Sequence, residues 1–130
     1  MAVPAADASE GVVRFIDLPE VVEARGSLLP LDFAALPFAP RRVFVVRVVP
    51  PGTTRGGHTH RTATQLLVRL AGAITVEVRR AGPAQAITLA DSRTGLLIPA
   101  GVWSSQTYLT PDAALLVLCD EPYDPSGYLK

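Results

Sequence analysis

Gly52-Thr53-Thr54-Arg55-Gly56-Gly57-His58-Thr59-His60-Arg61-Thr62-Ala63-Thr64-Gln65 is the stretch whose reading decides the fold of this chain. His58 and His60 are its only 2 histidines. On a strand, their spacing puts both imidazoles on one face and Thr59 on the other. Arg55 and Arg61 bracket the pair, and Gly56-Gly57 lets the backbone approach a ligand closely or take positive φ. The bland alternative is two satisfied polar residues in a strand. Their spacing and their framing by Gly and Arg weigh against it.

Outward from this stretch, short apolar runs alternate with Gly, Pro and Asp. Arg42 to Val49 is β-branched on both faces, as expected of a strand buried on two sides. Thr64 to Leu70 is the next strand, turned at Ala71-Gly72. Ala73 to Arg79 has the cleanest period of two, with Ile74, Val76 and Val78 pointing one way and Thr75, Glu77 and Arg79 the other. Val12 to Asp17, Ala86 to Leu89, Gly95 to Ile98, Trp103 to Tyr108 and Ala114 to Cys119 complete roughly eight strands, the pattern of an all-β sandwich or barrel. Asp32 to Leu36 reads as one helical turn. No segment of helical period is long enough for crossovers, which excludes an α/β sheet.

The chain has 130 residues and an apolar fraction of 48%, enough for one domain with a real core. Residues 1–10 read as a lead-in and 11–130 as the domain. Net charge is zero, so no basic stripe announces a nucleic-acid partner. An anionic small ligand remains possible, since one or two arginines suffice for a phosphate. No run approaches a membrane span, and the N-terminus lacks the charged and apolar regions of a signal peptide, so the expected location is cytoplasmic. The single cysteine, Cys119, lies in an apolar run and reads as a small buried hydrophobe.

The histidine stretch resembles the first cupin motif, with Gly52, His58, His60 and Gly72 in register and Gln65 where that motif has Glu. Pro99-Ala100-Gly101-Val102-Trp103 resembles the second motif, with Ser104 at its histidine position. The resemblance implies an antiparallel double-stranded β-helix, a jelly-roll barrel. Two histidines, a neutral Gln and a Ser make a poor set for a first-row metal, so neither metal nor other cofactor is expected.

A narrower likeness covers residues 26 to 128. Gly26-Ser27-Leu28, Leu36-Pro37-Phe38, Arg42-Val43-Phe44, Arg55-Gly56-Gly57-His58-Thr59-His60 with Gln65, Trp103, Leu116-Val117-Leu118, Tyr123-Asp124 and Tyr128 follow in order. Together they resemble the cupin sugar 3,4-ketoisomerases, which act on thymidine-diphosphate-linked 4-keto-6-deoxyhexoses. The resemblance implies a metal-free homodimer whose His-x-His pair handles protons. This chain departs from the family at Phe44 (usually Tyr), Thr59 (usually Ala) and Trp103-Ser104-Ser105 (usually Trp-His-Glu). The hydroxyl missing at Phe44 removes an acid or ligand contact.

The chemistry suits these residues. Moving a ketone from C4 to C3 removes a proton from C3 and delivers one to C4 through an enediol, and imidazole titrates near the working pH. His60 is the first choice as base. Gln65 would fix a histidine tautomer or bond a sugar hydroxyl. Arg55 stands open between an enediolate donor and a solvated structural residue. The diphosphate needs cations, and among Arg41, Arg42, Arg47, Arg61 and Arg69 the matched Arg42 ranks first. Trp103 or Tyr108 would wall the nucleobase, with a core role as the alternative. The expected substrate-binding set is therefore Arg42, Phe44, Arg55, Gly57, Gln65, Trp103 and Ser104. Competing readings are an epimerase, a metal-dependent cupin enzyme, and a sugar-nucleotide-binding cupin without catalysis.

Overall fold

Ile74, Val76 and Val78 are buried while Glu77 and Arg79 are exposed, so the alternation read in this run is the alternation that forms. The structure is a computed structural model and describes residues 12–129; the lead-in expected over 1–10 lies outside the described residues. Strands run in chain order as β1 (Arg14–Asp17), β2 (Val21–Glu23), β3 (Gly26–Leu28), β4 (Arg42–Arg47), β5 (Thr53–His60) and β6 (Gln65–Ala71). They continue as β7 (Ile74–Arg79), β8 (Gln85–Leu89), β9 (Thr94–Ile98), β10 (Trp103–Tyr108), β11 (Ala114–Cys119) and β12 (Tyr128–Leu129). The helical turn expected near Asp32 forms as a 3₁₀ turn over Phe33–Ala35.

Two five-stranded sheets face each other, β1-β9-β6-β11-β4 and β12-β5-β10-β7-β8, beside a separate β2-β3 hairpin. Every pairing is antiparallel. This is the all-β jelly-roll architecture of the cupins, and among the described residues there is no α-helix. Leu67, Ile74, Val76, Leu96, Tyr108 and Leu115 fill the space between the sheets. A second cluster lies on the outer face of the first sheet. There Ile16, Leu66, Val68, Leu97 and Leu118 are covered by Leu29, Leu31, Leu36 and Phe38. Burial on both faces explains why β6, β9 and β11 are continuous apolar runs rather than alternating ones.

β4 departs from expectation. It was expected to be buried on two sides, yet Val43 and Val45 are 50% and 47% exposed. The reason is its place at the sheet edge, paired among the described residues only with β11 and outside the covered cluster. Phe44 and Val46 point inward and pack on the core.

Candidate active site

β5 builds the site, and its geometry turns on one unpaired residue. Against β10, Thr59 pairs with Trp103 and His58 with Ser104. Then Gly56 pairs with Ser105 and Arg55 with Gln106, so Gly57 has no partner. Gly56 and Gly57 sit at φ +84° and +80°, a region closed to most side chains. This bulge inverts the in–out alternation of the strand. In a regular strand Arg55 would share a face with Thr59. Here Arg55, His58 and His60 all line one cavity of about 340 Å³ between the sheets.

The first sheet contributes Arg42, Phe44, Gln65, Leu67, Leu115 and Val117 to that cavity. The second contributes the β5 residues with Ser104, Gln106, Tyr108 and Tyr128. Tyr128 reaches the histidines because β12 pairs with the end of β5, placing it directly opposite His60. A 3₁₀ turn over Pro125–Gly127 delivers it there, with the Asp124 carboxylate accepting from the Ser126 amide and hydroxyl. The Arg61 amide pins the same turn by donating to the Gly127 carbonyl at 2.8 Å. The Tyr128 ring lies edge-on to both imidazoles, 4.6 Å from His60 and 5.0 Å from His58, and the imidazole centres are 6.1 Å apart. Arg42 lies between the Phe44 and Tyr123 rings, 4.5 and 4.9 Å from their centres, and its Nη1 donates to the Tyr128 hydroxyl at 3.3 Å. No carboxylate lines this cavity among the described residues.

Burial lowers the His60 pKa below 6.5, and the positive charges of His58 and Arg42 lower it further, against an opposing pull from Glu121. His60 is therefore neutral at pH 7, with a free nitrogen to accept a proton. A rate that needs neutral His60 should be level at neutral pH and fall on acidification below 6.5. Replacing Arg42 by Gln removes one lowering influence, so the acid limb of kcat should move up toward 6.5, which a pH–rate profile of the two proteins measures. The same depression makes acid unfavourable to the fold. As pH falls through 6.5 the unfolded chain takes up the imidazole proton before the folded one does, and stability drops.

Of the residues expected to form the site, His58, His60, Arg42, Phe44, Arg55, Gln65 and Ser104 line the cavity, and so does Tyr108. Gln65 donates its amide to the Cys119 sulfur at 3.5 Å. Cys119 is buried as expected, and burial pushes its thiol pKa up. Trp103 and Gly57 are not among the lining residues. Ser104, Gln106 and Tyr108 take the inward positions of β10, and Trp103 projects from the other face, 4.7 Å beneath the Arg79 guanidinium. Gly57 is the residue of the bulge, so its part is in backbone register. Of the other arginines weighed for the diphosphate, Arg41 and Arg61 are exposed and do not line the cavity, and Arg47 lines an adjoining hollow that shares Val45, Val46 and Arg55 with it. Arg69 is bonded to the Gly72 carbonyl and the Ser92 hydroxyl. Tyr128 and Gln106 were not singled out for the site from sequence.

A metal of the kind many cupins hold does not fit this donor set. Two imidazoles share the cavity with the neutral Gln65 and Ser104, and the described residues contain no cluster of three His, Cys, Asp or Glu.

Known proteins resemble this chain in sequence and fold. The curated TDP-4-oxo-6-deoxy-α-D-glucose-3,4-oxoisomerase of Aneurinibacillus thermoaerophilus is 28% identical over 118 residues, 90% of this chain and 85% of that protein. QdtA, a sugar 3,4-ketoisomerase from Thermoanaerobacterium thermosaccharolyticum solved in complex with TDP, superposes with a TM-score of 0.86 at 30% identity, covering 90% of this chain and 86% of the other. The WlaRB TDP-quinovose 3,4-ketoisomerase of Campylobacter jejuni superposes with a TM-score of 0.82 at 27% identity, covering 90% and 91%. A family model described as FdtA, WxcM-like, C-terminal matches residues 12–130, and the chain belongs to that family.

Proposed function

We propose that this chain is a sugar 3,4-ketoisomerase, moving the ketone of a nucleotide-diphosphate-linked 4-keto-6-deoxyhexose from C4 to C3 through an enediol. One observation carries the reading. Two histidines stand on one wall of a cavity that also holds two arginines and, among the described residues, no carboxylate, in a chain of zero net charge. Such a cavity draws anions and leaves the imidazoles as its proton acceptors. The named activities of the relatives support the substrate class. Neutral His60 takes the C3 proton. Arg55 opposes the enediolate charge, and Arg42 serves the diphosphate. Phe44, Gln65 and Ser104 shape the sugar pocket. The working unit is the single domain over residues 11–130, with no metal or other cofactor, in the cytoplasm.

The test is incubation with a panel of nucleotide-linked 4-keto-6-deoxy sugars in deuterium oxide, with the products read by NMR. The carbonyl carbon should move from C4 to C3. A carbonyl that stays at C4 beside an inverted centre would make the protein an epimerase. TDP binding without turnover would make it a binding module.

The exposed Val43 and Val45 on the edge strand β4 favour a homodimer, since a chain this small gains core by pairing. Light scattering at micromolar concentration should give twice the protomer mass, and Val43→Lys with Val45→Lys should shift it toward the monomer. A wild-type monomer would end that reading.

A further inference from the structure

We propose that Tyr128 is a catalytic residue whose hydroxyl carries a proton between the substrate oxygens O3 and O4 while a histidine carries the hydrogen between C3 and C4. The assignment rests on the ketoisomerase reading above. Its first support is position. Tyr128 stands opposite His60 in the β5–β12 register and touches both imidazoles edge-on, so its phenol belongs to the wall on which the histidines stand.

Its second support is polarity. Arg42 donates to the Tyr128 hydroxyl, and a guanidinium has no acceptor. The hydroxyl proton must therefore point elsewhere. The third support is the lack of a rival. Phe44 on the facing sheet carries no hydroxyl, and no carboxylate lines the cavity among the described residues. The Ser104 hydroxyl also accepts, from Gln106 at 3.3 Å, but an aliphatic hydroxyl is a far weaker acid than a phenol. Tyr108 is four residues along β10 from Ser104, the partner of His58, and so roughly 13 Å from it along the strand.

The reaction balances with these two groups alone. As the C3–H bond breaks, the histidine takes its proton, the C3–C4 double bond forms, and O4 accepts the Tyr128 proton to give the enediol. As the C3 carbonyl forms, the O3 proton returns to Tyr128 and C4 takes the proton held by the histidine. C3 is oxidised and C4 is reduced within one molecule, and both side chains end as they began. Without the hydroxyl, charge would build on O4 as an enediolate facing only the arginines.

Tyr128→Phe tests this, because it keeps the ring that packs on the imidazoles and removes only the hydroxyl. The expected result is a loss of kcat of about 10²-fold, within the range for acid–base groups, with TDP affinity by calorimetry and thermal midpoint near wild type. Exchange of the C3 hydrogen with deuterium oxide should slow in step with turnover. A variant whose kcat stays within threefold of wild type overturns the assignment. So does one that raises KM or weakens TDP while kcat holds, since the hydroxyl would then only position Arg42. Wild-type protein that moves no ketone on any tested sugar overturns the ketoisomerase reading and this assignment with it, an outcome plainly distinct from an active wild type beside an equally active variant.

Discussion

Replacing His60 by Asn should lower kcat for ketone transfer by about 10²–10⁴-fold, or about 3–5 kcal/mol of barrier, while TDP still binds. The expectation follows from where His60 sits. Burial first, then the coulombic influence of His58 and Arg42, lowers its pKa below 6.5, and it faces the cavity beside His58 and Tyr128. Asn fills a similar volume and keeps a hydrogen-bonding group, so the β5–β12 pairing should persist. The contacts assigned to the diphosphate come from Arg42, which the substitution leaves in place. His58→Asn separates two roles. If His58 positions the sugar, its variant should mainly raise KM; if it shares proton transfer, it should lower kcat. Turnover and deuterium exchange within a few-fold of wild type in the double variant would remove both histidines from the mechanism.

Gly72→Ala should cost about 2–5 kcal/mol of stability. Gly72 sits at φ +68°, where an L side chain costs about 1–2 kcal/mol. A Cβ there would run into the Thr110 hydroxyl and come within 2.7 Å of the Ala113 Cα and of an Asp112 carboxylate oxygen. Such overpacking adds about 1–3 kcal/mol. The neighbours cannot easily yield, since the Thr110 hydroxyl accepts from the Ala73 amide and Ala113 is buried backbone. Gly52→Ala is the matched control. Its φ is +86°, yet nothing lies within 4 Å of the new Cβ, so only the backbone cost of about 1–2 kcal/mol remains. Urea unfolding should show the larger midpoint shift for Gly72→Ala. Equal shifts would mean that the loop relaxes around the methyl group.

Much of this was legible in the chain itself. The period of two in β7 needed no tertiary information, and the two cupin-like motifs brought Gln65 and Ser104 to the histidine cavity. What was not legible depended on distant pairing. The β2–β3 hairpin is exposed throughout, so neither strand carries an alternation to read. Tyr128 enters the site through a two-residue strand whose partner lies far back in the chain. β4 looked doubly buried because its valines are apolar on both faces, and only the sheet order reveals an edge. Simple alternation places Arg55 on the face opposite His58, and its true facing depends on a register that two glycines, having no side chains, do not advertise. Trp103 faces out by plain alternation from the inward Ser104, so the two adjacent residues could not both line the cavity.

That register has a practical meaning for anyone recombining this chain with a relative. Residues 53–55 and 58–60 behave as two cassettes, one presenting a cation and the other two imidazoles, joined by a spacer of fixed length. Substitution within either cassette leaves the spacer that sets the facing of both in place. Replacing the spacer glycines cannot be neutral in the same way, because without the bulge a strand in which Arg55 and His58 stand three residues apart turns one cassette away from the cavity. The crossover points worth choosing in β5 are therefore those that keep both glycines between Arg55 and His58.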